Sequence, residues 1–495
     1  MKRGLLIAAV VTTTVGAAVG AIGAGAAPIV PMHEVSSTTA VHGVVRALDL
    51  ADDFGNVVVK AGTNLSVAAH EQWNYEQPTL TVTVKNQVLS VRATCPNLVS
   101  GPYLYIGDPG VNDCAIDLTV VVPARTDLTV TSYGGAVTST GINGVQKLKG
   151  YSGTVTVTGS RSRALTVESE GVLAVTHSTL GLAALTADNS RATLDDVTAN
   201  VASVRAEGGD AAVTASHVTR ALSVVSDVAG VTLRNVSAGQ LTATSESGQV
   251  SVESTNVVGS AALTGNNGSI TVGGLTAGQL AAKAYGGPVV VKNTTVRRDA
   301  TVVAEDGSVT TESVRAASLS VEAASGTASL SSSTVTGLVH LTADNGGADV
   351  NDLRAGQLVV NAAGGAVSIG STAVRGQLSV TNHNGGATLA KVSADGTSIH
   401  ATGGSLSGSD LSSPLVSATN DNGPVTLALL TVPSHVVMEG SSNIGLTVPS
   451  ATYAVNAVSD SRGAVTVSGI VVHSDAKRTL TAHTTQGAIS ITGRS

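Results

Sequence analysis

The chain has 495 residues, 42% of them hydrophobic, yet it holds one Phe, one Trp and seven Tyr beside 56 Gly. A core of Val, Ala and Leu is narrow, because small side chains cannot bridge widely separated layers. Only 12% of residues are charged, the net charge is −7 and there are no charge runs, which argues against an electrostatic binder of nucleic acid.

Lys2 and Arg3 precede an apolar run, Leu5–Ala27, that ends in Ala24-Gly25-Ala26 and small neighbours. This is the layout of a secretory signal, so residues 1–26 are read as a signal peptide and the protein as secreted or cell-surface. The run is long enough to span a bilayer if left uncleaved, but its Gly, Ala and Thr content makes it weakly hydrophobic and favours cleavage. Residues 27–40 read as a polar linker. Residues 41–123 read as a β-rich cap that collects most bulky side chains, including Phe54, Trp73, Tyr75, Tyr103 and Tyr105. Within it, LTVTVKNQVLSVRA alternates apolar and polar about a turn at Lys85–Gln87, and AIDLTVVVP is a strand ended by Pro123. Cys95 and Cys114 are the two cysteines. In an exported chain they predict a disulfide, and a two-Cys metal site would lack nearby His partners.

Residues 124–495 repeat one sentence. LTVTSYGGAVTST at Leu128, LTATSESGQVSVEST at Leu241 and LTADNGGADVND at Leu341 each join an apolar–polar–apolar triplet, a Gly-marked bend and a second triplet. Strand starts, among them Leu128, Leu148, Leu165, Leu185, Leu222, Leu241, Thr301, Leu341, Ile399, Leu415 and Leu480, recur irregularly, on average about every 19–20 residues over the full set, the range of a solenoid. Units this short cannot close a core alone and must stack. The predicted fold is all-β: a right-handed parallel β-helix of about 19–20 residues per coil behind a small N-terminal β cap. Triplet ends such as Val155/Val157 and Val250/Val252 point inward. A third side is marked by Val197, Val236, Val296, Val314, Val335, Leu353, Val374 and Val392. Gly134-Gly135, Gly286-Gly287, Asn345-Gly346-Gly347 and Asn384-Gly385-Gly386 are expected to supply positive φ at corners. The outward residue of the second triplet is Thr156, Thr193, Thr232, Ser251, Thr271, Thr310, Ser329, Ser368 and Thr388 in successive coils, which predicts a hydroxyl ladder.

The stretch from DLADDFGNVVVKAG through TVTVKNQVLSVRATC to IDLTVVVPARTDLTVTSYGGAVTSTG resembles a family of exported bacterial adhesin-like proteins with β-strand repeats. The resemblance covers about Val41–Gly159 well and continues, diluted, along the later coils. It implies a parallel β-helical surface or secreted protein with no established catalytic residues.

Paired carboxylates for glycoside cleavage have two candidates, Asp195 with Asp196 and Asp349 with Asp352, but Asp196 and Asp352 read as solvated bend acids. The next outward column is read as Asp195, Ala215, Arg234, Glu253, Gly273, Lys292 and Glu312, whose opposite charges suit surface pairing. A second Thr column, as flat ice-binding faces use, is interrupted by Ser139 and charged residues. No nucleophile elbow, two-His metal pair, calcium nonapeptide or phosphate loop appears. The reading is therefore non-enzymatic, without cofactor: a structural or adhesin-like protein presenting a Ser/Thr-rich surface to cell wall, extracellular glycan or a surface protein. The alternative is a carbohydrate-active β-helix lyase or hydrolase. The C-terminal coil, ending in Gly493-Arg494-Ser495, has no obvious cap, which suggests end-to-end self-association.

Overall fold

The computed structural model describes residues 11–16, 32–96 and 113–494. Most of the predicted signal peptide lies outside these residues, as do Tyr103 and Tyr105. Among the described residues every element is a β-strand or a turn. The chain is a β-solenoid of parallel ladders, divided into two compact units, Met1–Gly239 and Gln240–Ser495.

In the first unit, Ala47–Asp52 pairs in parallel with Val88–Thr94 on one edge and Asp127–Ser132 on the other. Val57–Ala61 likewise lies between Cys114–Val122 and Val137–Thr140. Parallel stacking thus already operates within the segment read as cap. The outermost strands are closed by antiparallel partners: Thr79–Lys85 on Val88–Thr94, and Ser66–Trp73 on Cys114–Val122. His33–Ala40, in the segment read as linker, then pairs with Ser66–Trp73, because that strand would otherwise leave a free edge. Cys95 and Cys114 form the disulfide, with Cα atoms 5.8 Å apart. It ties the end of one outermost strand to the start of the other. Replacing both cysteines by Ser is expected to cost about 3 kcal/mol, the loop-closure value for their spacing, read as a lower urea midpoint in non-reducing buffer.

Each coil has three sides. Side one carries two inward residues and a small one at its corner, side two carries two, and side three carries two. The register corrects several assigned strand starts. Gln146, not Leu148, faces Leu128 and Leu165, so Leu148 takes the second inward place beside Val130 and Val167. Leu185, Leu341 and Ile399 also occupy the second place. Thr301 points outward beside buried Ala300 and Val302, and Leu415 is 52% exposed beside buried Val416. The two inward places share one slice of core, so Leu–Val and Ala–Leu fill it about equally, and volume-conserving exchanges are tolerated best. Gln146 is satisfied in the core: Ser139 Oγ donates to its Oε1 (2.7 Å), and its Nε2 donates to Ser160 Oγ (3.1 Å).

The expectation for the glycine corners is overturned. Gly134-Gly135, Gly286-Gly287, Gly346-Gly347 and Gly385-Gly386 lie outside the left-handed region. They are required by stacking: a Cβ on Gly135 would sit 1.6 Å from Gly55 O, and one on Gly385 would sit 2.3 Å from Gly365 O. Positive φ falls at the other corner, just after side two, and mostly on non-glycine residues: Asp196, Ala215 and Asn235 in the first unit, then Ser254, Gly274, Asn293, Ser313, Ser332, Asp352, Ser371, Lys391 and Asp410 in the second.

From Ser254 to Asp410 these corners are separated by 20 and 19 residues in strict alternation, so the irregular spacing of the sequence is a two-coil repeat of 39. The longer coils open side three with a buried Thr255, Thr294, Ser333 or Thr372, followed two residues on by Val257, Val296, Val335 or Val374. The shorter coils place Leu275, Val314, Leu353 or Val392 first, then Ala277, Ala316, Ala355 or Ala394. Small-then-large stacks on large-then-small, which fills the layer evenly. Each hydroxyl donates back over the corner, as Ser333 Oγ does to Ser331 O (2.8 Å) and Thr372 Oγ1 to Gly370 O (2.8 Å). Ser333 Oγ also accepts the Val314 N–H of the preceding coil (3.1 Å). The extra residue of the longer coil follows its Val and appears as a register shift, as between Val335 and Leu338.

The outermost coil at the far end of the second unit is not the one holding Gly493 and Arg494. Thr479–Thr484 lies between His435–Gly440 and Thr452–Ser459, and Ile489–Arg494 lies between Ile444–Pro449 and Val465–Ser468. The last strands are thus inserted between two coils, and among the described residues the uncovered coil is Thr452–Val472, with Val465 and Val467 44% and 37% exposed.

Candidate functional site

Side two presents the outward hydroxyls, because alternation on a four-residue strand leaves one inward pair and two outward residues. In the first unit the register runs Thr138, Thr156, Ala174, Thr193, Ala212, Thr232. In the second it runs Ser251, Thr271, Val290, Thr310, Ser329, Asp349, Ser368, Thr388, with Ser407 and Thr426 continuing it. Thr232, Asp349, Ser368, Thr388 and Thr426 are exposed and the other residues of the column half-buried. Ser407 Oγ donates to Thr388 Oγ1 (3.2 Å), and Gln249 Nε2 to Thr271 Oγ1 (2.7 Å). The column is a row of hydroxyls interrupted by Ala174, Ala212, Val290 and Asp349, with Ser407 and Thr388 bonded along it.

The second outward column differs from its sequence reading at two positions. Thr214, not Ala215, faces Asp195 and Arg234, since Ala215 is the left-handed corner. Ser139 is buried, and Thr140 takes the outward place above Thr158 and Thr176. Thr158 and Thr176 hydroxyls lie 3.1 Å apart, and Thr214 donates to Asp195. Among the described residues, only coils Thr138–Thr140 and Thr156–Thr158 place Thr in both columns.

In each acid pair one member stands on side two and the other at the corner that follows it. Asp195 accepts from Thr214 on side two, while Asp196 turns the corner, with Oδ2 3.8 Å from His177 Nε2. Asp349 stands exposed between Ser329 and Ser368, and Asp352 is again the corner residue. Lys292 pairs with Glu312 across neighbouring coils (2.9 Å).

Side one and its corner bring together residues that the sequence did not single out. Tyr133 and Tyr151 stack at 4.8 Å with planes 3° apart, and Lys149 Nζ lies 4.8 Å from the Tyr151 ring centroid while pairing with Glu168 (3.1 Å). The hydrogen bond to Glu168 raises the Lys149 pKa above its ordinary value. Lys283, Tyr285 and Glu305 repeat this arrangement in the second unit, with the Lys283 pKa raised first by Glu305. The signal available was Lys-x-Tyr at Lys149 and Lys283, with Tyr at the bend. Tyr133 and Tyr151 stack on one another at the corner, while Tyr133 and Tyr285 remain 48% and 40% exposed.

The profile of a family described as Toastrack DUF4097 matches residues 45–274 and 274–424. No curated protein matches the chain. Among solved structures, a candidate cell adhesion protein from Clostridium sporogenes ATCC 15579 is similar over 41% of this chain and 94% of its own, with 12% identity and a TM-score of 0.21.

Proposed function

The chain belongs to the Toastrack DUF4097 family, and from that premise we propose that it is a non-enzymatic, exported or cell-surface protein. Its solenoid holds the hydroxyl side toward cell wall, extracellular glycan or a surface protein. The observation that carries this reading is the side-two column of each unit, in which Ser or Thr recurs at one outward position, from Thr138 to Thr232 in the first and from Ser251 to Thr426 in the second. Shape and hydroxyl chemistry repeat there at about 4.8 Å, the spacing of stacked strands. The disulfide supports export, since such bonds persist in oxidising compartments.

The test incubates the purified chain with insoluble cell walls and a panel of polysaccharides, and reads co-sedimentation and newly released sugar ends from the same tubes. Co-sedimentation without release is the expected result, weakened when Thr271, Thr310 and Ser329 are replaced together by Ala. Release of sugar ends that disappears with Asp195→Ala or Asp349→Ala would transfer the assignment to a carbohydrate-active enzyme.

A further inference from the structure

Side three of the second unit carries charge of a different kind from the other sides. Between Gln240 and Ser461 all the arginines lie on it: Arg297, Arg298, Arg315, Arg354 and Arg375. Two lysines of the same region, Lys283 and Lys292, lie on other sides and are ion-paired to glutamates. All five arginines are exposed, and none makes an ion pair among the described residues. The carboxylates nearest in sequence are Asp299, Glu312, Asp352 and Asp395, and Glu312 is paired with Lys292. Asp299 instead accepts from Ser318 Oγ (2.7 Å) and Gln279 Nε2 (3.4 Å).

The two-coil repeat builds the ground on which they stand. Arg315 and Arg354 occupy the same outward place in successive short coils, with Thr334 between them in register. They are therefore about 10 Å apart along the axis, two strand spacings. Arg297, Arg298 and Arg375 stand where the longer coils carry their extra residue, so they flank that column. Two hollows result. One, of about 270 Å³, is lined by Arg297, Arg315, Thr334 and Thr336, and the other, of about 130 Å³, by Arg354, Arg375 and the same two threonines. Sharing Thr334 and Thr336, they form one shallow groove with cations at both ends and hydroxyls in the middle.

We propose that this groove binds an extended acidic polysaccharide laid along the coil axis, the guanidinium groups of Arg315 and Arg354 holding successive carboxylate or sulfate groups. Guanidinium is the fitting cation, because its planar fork grips an oxyanion by two hydrogen bonds and is more weakly hydrated than ammonium. Thr334 and Thr336 offer hydroxyls to the sugar between two charges. No aromatic side chain lines the groove, which disfavours a nucleic-acid strand, whose bases would look for stacking partners. The inference rests on the surface reading above and names a ligand class for a different side.

The experiment uses the full chain and measures affinity for polygalacturonate, dextran sulfate, neutral dextran and single-stranded poly(dT), each at three salt concentrations. Binding to one or both acidic polysaccharides is expected, and which one separates carboxylate from sulfate recognition. Arg315→Ala with Arg354→Ala should weaken it at least tenfold and flatten its salt dependence. Lys283→Ala with Lys292→Ala, which removes equal charge elsewhere, should change it less than twofold. Absence of binding, equal loss in both variants, equal affinity for neutral dextran or tighter binding of poly(dT) would each overturn the assignment. Wall pelleting of the same samples keeps the two readings apart. A chain that pellets with walls but ignores both polyanions keeps the surface role and loses the arginine site, whereas the opposite result keeps the site and loses the role.

Discussion

Asp52→Asn is expected to raise the thermal midpoint at pH 7 to 8 and to leave it unchanged near pH 4. Asp52 ends side one of the first coil, fully buried, with neither carboxylate oxygen hydrogen-bonded. Burial, with Asp53 and Asp117 nearby, pushes its pKa from 3.8 to about 8. The folded chain therefore holds a proton that the unfolded chain has released throughout that interval. Stability is greatest below the lower value and declines as pH rises toward the upper one, by roughly 4 kcal/mol at neutrality at 1.36 kcal/mol per unit. The same corner position in other coils shows the remedy. Asn382 Nδ2 donates to Gly386 O (2.9 Å) and Asn420 Nδ2 to Gly404 O (3.0 Å), and Ser132 and Ser169 occupy the corner in the first unit. An amide at position 52 keeps the shape and cannot ionise. Melting curves of parent and variant at several pH values decide the matter: a difference that does not grow with pH would mean that Asp52 is not the titrating group.

Leu241→Asp should destabilise by several kcal/mol, whereas Ser251→Ala, ten residues on in the same coil, should cost under about 1 kcal/mol. Leu241 is 1% exposed in the core layer of side one, and a carboxylate there meets neither water nor a cation. Ser251 lies outward on side two between solvent and its Thr271 neighbour, where loss of a hydroxyl is a surface change. Chemical denaturation of both variants measures this. Equal sensitivity would show that the inward and outward faces are exchanged.

How far these features could be read from the sequence depends on the distance over which each is encoded. Apolar–polar–apolar triplets are local, so the inward pairs, the solenoid class and the outward column were legible. So was the Cys95–Cys114 bridge, from compartment and cysteine count alone. The exact Leu place was not, because Leu148 and Gln146 can exchange places in one core slice without altering the local pattern. The two-coil alternation is masked in the sequence by an average period near 20. Its trace is present in AGQL at Ala238, Ala277 and Ala355, which recurs at 39 and 78 residues. Gly-Gly pairs announced corners, but backbone crowding from the neighbouring coil, invisible in one dimension, is what demands them. The arginines of side three are mostly many residues apart and resemble scattered surface charge until the register lines up Arg315 with Arg354. Asp52, within DLADDFG, reads as one more loop acid, and only the stacking that buries it makes it unusual.

The alternation of buried hydroxyl and buried Leu or Val on side three also sets how such a chain can change its length. Gain or loss of one coil would bring two hydroxyl-bearing coils together, crowding Val against Val and leaving small residues facing small. Gain or loss of a 39-residue pair restores every contact. Genetic duplication, and any attempt to engineer a longer or shorter version, should therefore proceed in increments of two coils, each adding about 10 Å of axial length.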